Sequence, residues 1–133
     1  MWPRIIEFVF LPALVIAATP AQVLVGIGVL RHEAERVVMP EYPSVSFVDG
    51  HKGPAVAEVR VSIDGKVAHI RMLEAPDQAI AESVSSAVQK WRFHPFSVAG
   101  RAVEVISRVV FYFRIVDGKP FVIDEGNGAR KPD

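Results

Sequence analysis

Hydrophobic positions change period along the chain, and the changes mark its elements. Ile80, Val84 and Val88, with Ala81 and Ala87 beside them, recur at helical spacing, while Gln78, Glu82, Ser85 and Gln89 fall on the opposite side. The spacing predicts an amphipathic helix of about four turns, with Pro76 at its first position and Asp77 at the positive end of the helix dipole. Directly after it stands Trp91-Arg92-Phe93-His94-Pro95, in which the proline bars any continuation of the helix. Burying an indole removes roughly 150 to 250 Å² from water, so Trp91 is expected to be the largest contributor to a core that also takes Phe93.

On either side of the helix the period is two. Ala57, Val59, Val61 and Ile63 alternate with Glu58, Arg60 and Ser62; Asp64-Gly65 then predicts a two-residue hairpin turn, and Ala68, Ile70 and Met72 alternate with His69 and Arg71 on the return. After a loop from Phe96 to Arg101 with Gly100 at its tip, a long strand from Ala102 to Val116 is expected. Val103, Val105, Ser107, Val109, Phe111, Phe113 and Ile115 share one of its faces. Its other face carries Glu104, Arg108 and Arg114, and also Ile106, Val110 and Tyr112, which another part of the chain or a partner would cover. Asp117-Gly118 predicts a second hairpin that returns Phe121 to Ile123, with Pro120 at the start of that strand or on an edge. Hairpin, helix, long strand and short return make an α+β fold: a two-layer sandwich with an antiparallel β-sheet, a ββαβ core and one main helix packed on one face.

The amino-terminal stretch is of another kind. Met1 to Arg4 is a short positive start, Ile5 to Ala18 is apolar apart from Glu7, and Ala17-Ala18-Thr19-Pro20-Ala21 offers small residues where a signal peptide would be cut. An export signal over residues 1–21 is one reading; a membrane anchor over residues 5–30 and a buried segment are the others. Val23, Val25, Ile27 and Val29 alternate with Leu24, Gly26, Gly28 and Leu30, which predicts a strand in the lead-in over residues 22–39. Val37 to Pro43 contains two prolines and reads as extended. The folded domain is expected over residues 40–124, followed by a mobile glycine-rich, charged tail at 125–133.

Composition narrows function mainly by exclusion. The 133 residues carry 15 basic and 15 acidic side chains, so the net charge is zero and the footprint of a nucleic-acid binder is missing. The chain has no cysteine. His32, His51, His69 and His94 lie on different elements without metal-ligand spacing, and no nucleophile elbow is present. No catalytic, metal, cofactor or small-molecule site is expected.

Tyr42-Pro43, Gly53, the alternating stretch from Val56 to Ile63, Asp64-Gly65, Trp91-Arg92-Phe93 followed by Pro95, Gly100 and Phe111-Tyr112-Phe113 together resemble the C-terminal domain family of the energy transducer TonB, over roughly residues 40–116. The resemblance implies a periplasmic domain in which Tyr42, Pro43, Gly53, Gly65, Trp91, Arg92, Phe93 and Pro95 are motif and core positions. It implies a partner as well: a periplasmic segment of an outer-membrane transporter, added to the sheet as a strand along Val103, Val105, Ser107, Val109, Phe111, Phe113 and Ile115. A homodimer, or an envelope structural domain that self-associates without a transporter, is the other reading. The sequence departs from the family in three respects. Residues 5–30 lack the histidine of a transducer's membrane helix, only about ten residues separate Leu30 from Tyr42 where a spacer would stand, and Ala81 replaces the usual acidic residue. A returning strand at Phe121 to Ile123 would also compete for the binding edge.

Overall fold

A computed structural model of the protein describes residues 20–127. Most of the expected export signal and the end of the tail therefore lie outside the described residues. The backbone runs β1 (Gln22–Leu24), α1 (Ile27–His32), β2 (Ala34–Arg36), α2 (Ser44–Val48), β3 (Gly53–Val61), β4 (Val67–Glu74), α3 (Gln78–Gln89), β5 (Arg92–Phe93), β6 (Ser97–Val98), β7 (Arg101–Ala102), β8 (Glu104–Val116) and β9 (Lys119–Asp124), then a 3-10 turn, Glu125–Asn127. The main sheet has the order β1-β8-β3-β4, and β9 also pairs with β8. This is the expected α+β architecture: the long strand enters beside the first hairpin strand, in antiparallel register from Gly53↔Phe113 to Val61↔Val105.

The core lies between this sheet and α3. Ala55, Ala57, Val59 and Val61 of β3 and Val103, Val105, Val109, Phe111 and Phe113 of the long-strand region are buried, and Ile80, Val84, Ala87 and Val88 close over them from the helix. Helix α3 starts two residues later than the sequence suggests, because Asp77 is its cap: the Asp77 carboxylate accepts the Ile80 N–H at 2.7 Å, leaving Pro76 just outside. Burial pushes the Asp77 carboxyl up; the nearby Ser46 hydroxyl, the hydrogen bond from the Ile80 amide and the contact with His51 outweigh this and hold it below the ordinary carboxylate range.

The two hairpins turn differently. A two-residue turn of the favoured kind needs positive φ at both central residues. Asp117 and Gly118 meet this, at φ 51 and 73, and Val116 pairs directly with Lys119. In the first hairpin only Gly65 has positive φ, so the expected two-residue turn becomes a loop of Ile63, Asp64 and Gly65: the Ser62 N–H donates to the Lys66 carbonyl at 2.8 Å, and Asp64 accepts the Lys66 N–H. Ile63 therefore leaves the strand and is exposed, and Val67 rather than Ala68 joins Ile70 and Met72 against the core.

The lead-in departs furthest from expectation. Of the alternating stretch up to Leu30 only Gln22–Leu24 is strand; Ile27–His32 is helix, and the short strand β2 follows it. The i, i+3 pair Ile27 and Leu30 both reach the core, whereas Val29, which an alternating strand would place with Ile27, is exposed. No helix among the described residues is long and apolar enough to cross a membrane. A short helix, α2, stands between Pro43 and Gly50 where the sequence pattern gave no sign of one, and the loop after Phe96 is a small ribbon, β6 with β7.

Candidate strand-binding edge

Strand β8 is the axis of the sheet. Its inward face is apolar except for Ser107, whose hydroxyl is buried without a partner, so the strand is fixed by burial and its register cannot slip by one residue without turning that face to water. Val103, Val105, Ser107, Val109, Phe111 and Phe113 are all buried and Ile115 is half-buried. These side chains point at α3 and the lead-in, so what β8 offers outward along its second edge is backbone.

That edge is shared by two other parts of the chain. At one end β1 lies parallel to it, Gln22↔Glu104 to Leu24↔Ile106, and the pairing is extended by Glu104 N–H to the Ala21 carbonyl at 2.9 Å and Val25 N–H to the Ile106 carbonyl at 3.0 Å. At the other end β9 lies antiparallel, Phe111↔Asp124 to Val116↔Lys119. Between them Ser107, Arg108, Val109 and Val110 have no strand partner on this side among the described residues. The far edge of the sheet is β4.

The Trp91 element supports this axis from beneath. Trp91 is fully buried, its ring edge-on to Phe93 and Phe111 at 6.2 and 6.0 Å, and its indole N–H donates to the Val38 carbonyl at 2.8 Å. This bond ties the extended lead-in across the helix end, and the Ser83 hydroxyl adds a second tie by donating to the Glu41 carbonyl. The Arg92 guanidinium turns back to the carbonyls of Gln89 and Trp91, at 3.1 and 2.7 Å, and so stabilises the last turn of α3. The Phe93 N–H donates to the Gly65 carbonyl, so the first hairpin turn sits directly on the motif; Pro95 follows in the connection to β6. Tyr42 stacks edge-on against Phe113 at 5.2 Å, its phenol donating to the His51 carbonyl; burial and the nearby Asp77 charge push that phenol's pKa up. Pro43 opens α2, and Gly53 opens β3 at φ 136 beside Pro76.

The histidines fall into separate local pairs. His51 meets Asp77 at 2.6 Å and His94 meets Glu35 at 2.8 Å, while His69 stands on the exposed face of β4.

One cluster escaped the sequence reading. The Arg31 guanidinium lies 4.4 Å from the centre of the Trp91 ring and pairs with the Asp124 carboxylate, both side chains being almost wholly buried. The other Asp124 oxygen accepts the Gly126 N–H at 2.9 Å, and burial lowers the Arg31 pKa. A signal was there: Asp124 continues the inward parity of Pro120 and Val122, where an acid needs a buried cation.

Comparison with known proteins places this geometry. A profile of the Gram-negative bacterial TonB protein C-terminal matches residues 38–115. The protein TonB of Pseudomonas aeruginosa is 30% identical over 81 residues, which is 60% of this chain and 24% of that protein, so the chain spans about a quarter of its relative's length. The solution NMR structure of the Pseudomonas aeruginosa TonB CTD matches with a TM-score of 0.54 at 28% identity, over 62% of this chain and 85% of that one. With more than half of its residues inside the matched region, this chain belongs to the family of Gram-negative bacterial TonB C-terminal domains.

Proposed function

We propose that the chain is a periplasmic, non-enzymatic binding module that serves TonB-dependent transport by taking up an extended segment of an outer-membrane transporter as an added strand on β8. One observation carries this reading: the second edge of β8 already holds β1, a short parallel strand from outside the family-matched region, and next to it leaves the backbone from Ser107 to Val110 without a strand partner among the described residues. Strand addition draws affinity from main-chain hydrogen bonds, which is what such an edge supplies. β1 pairs over only three residues, so a longer segment would make more main-chain bonds to the edge than the strand it replaces. The test is a titration of isotope-labelled chain with a synthetic peptide copying the periplasmic terminal segment of a transporter from the same genome. Amide shifts centred on Glu104 to Val110 support the reading; shifts centred on β4, or none at saturating peptide, overturn it.

A second reading is self-association without a transporter. The sheet face turned away from α3 favours it, because Leu24, Phe121 and Ile123 are exposed there beside Ile106, Val110 and Tyr112. Sedimentation equilibrium separates the two, since self-association requires a concentration-dependent mass and the binding module does not.

A further inference from the structure

The two segments that occupy the edge of β8 lie outside the family-matched residues 38–115, one before and one after them, and they meet each other. From the amino-terminal side, β1 pairs with Glu104 to Ile106 and α1 sets Leu30 into the core. From the carboxy-terminal side, β9 pairs with Phe111 to Val116 and the 3-10 turn folds back onto α1. Two features join them. Arg31 of α1 is held between the Trp91 ring and Asp124 at the end of β9. Gly126 packs so closely on α1 that a Cβ there would stand 2.7 Å from Ile27 Cγ1 and 2.9 Å from Arg31 Cγ.

We propose that these two segments form a single clasp over the edge of β8, shut by the Arg31–Asp124 pair, and that the edge accepts a partner strand only when both segments let go together. The function of the clasp rests on the strand-binding reading above; its existence as one unit does not. The coupling follows from the chemistry of the pair. If β9 leaves alone, Arg31 keeps its place under a hydrophobic roof without its carboxylate; if α1 leaves alone, Asp124 is stranded in the same way. A buried charge left unpaired costs far more than an exposed one, so each half-open state is disfavoured against both the closed and the fully open one. The clasp then sets the apparent affinity of the edge through the fraction of molecules that are open.

The test uses the full chain with Asp124→Asn and, separately, Gly126→Val, which attacks the clasp by bulk instead of charge. Native-state hydrogen exchange reads the amides of Val25 and Glu104 at one end and of Phe121 to Asp124 at the other, with the Val59 amide of the central strand β3, flanked by β4 and β8, as a reference for global unfolding. Either substitution is expected to lower protection at both ends together, on the order of 100-fold, with Val59 unchanged. A fluorescent peptide copying residues 20–26, the strand the edge already holds, reads access, and each variant should bind it at least about 10-fold more tightly than the parent. Loss of protection confined to the β9 end overturns the clasp, as does equal peptide binding by parent and variants without any change in exchange at β1. Joint opening of both ends with no peptide bound leaves the clasp standing and overturns the strand-binding reading.

Discussion

Replacing Gly65 by alanine should cost far more than the same change at Gly118, although both glycines sit at hairpin turns with similar backbone angles, φ 84 and 73. An alanine at positive φ gives up about 1 to 2 kcal/mol at either site. At Gly118 nothing lies within 4 Å of the added Cβ, so the cost ends there. At Gly65 the Cβ would fall 2.0 Å from the Phe93 carbonyl oxygen, which is backbone and cannot swing aside. The turn must retreat, and the Phe93 N–H bond to the Gly65 carbonyl, 2.9 Å long, is lost with it at about 1 kcal/mol, plus the strain of separating the turn from the Trp91 motif. The expected difference between the two variants is therefore about 2 to 3 kcal/mol, against a total stability of about 5 to 15 kcal/mol for a domain. Urea unfolding followed by Trp91 fluorescence gives both values; a conservative replacement of Trp2 removes its background. If Gly65→Ala and Gly118→Ala shift the midpoint equally, the turn does not abut Phe93, and the reasoning that ties the hairpin to the motif fails.

Trp91→Phe keeps an aromatic ring in the core but leaves the Val38 carbonyl without its donor, so a loss of about 1 to 3 kcal/mol is expected, smaller than the roughly 3 to 5 kcal/mol of Trp91→Ala; denaturant melts of both variants check the order. Asp77→Ala removes the α3 cap and should cost about 1 kcal/mol by the same assay. Because the folded Asp77 carboxyl titrates below its ordinary value of 3.8, folding favours its charged form. That contribution is complete above the ordinary range and fades as pH falls through the lower folded value, so Asp77→Asn should flatten the acid limb of a stability-versus-pH curve and leave its neutral limb parallel to the parent's. Arg71→Ala breaks an exposed pair with Glu58 at 3.2 Å and should change stability by less than about 1 kcal/mol.

The parts of this fold that could be read in advance are those whose signal is local. Alternation from Ala57 to Val61 and from Val103 to Phe113, the helical stripe ending at Trp91, and Asp117-Gly118 each announce an element within a dozen residues, and an element stands at each, although Ile63 drops out of the first strand and α3 begins after Asp77. The first hairpin turn was legible as a turn but not as a type, since only the backbone shows that Asp64 keeps negative φ and accepts the Lys66 amide instead. Helix α1 was misread because Val23, Val25, Ile27 and Val29 alternate like a strand, while the side chains that decide the matter, Ile27 and Leu30, are chosen by a core built from residues far along the chain. The candidate edge itself was named from the sequence, but the same distance hid part of what covers it: Gln22 meets Glu104 across 82 positions, and Arg31 finds Asp124 only once the sheet exists.

The parallel pairing of β1 with β8 also sets an order of assembly. The β3–β4 and β8–β9 hairpins close over short loops and form early, whereas β1 must wait for a strand 82 positions away, and the entropy of closing so long a loop makes that contact late. On a ribosome the first-made part of the domain thus docks last. Until β8 has emerged, Ile27 and Leu30 have no core to enter, and the nascent chain carries them uncovered while the intervening residues are made. A holding chaperone that recognises short apolar stretches would find its site here, ahead of the sheet, and would be released once β8 is in place.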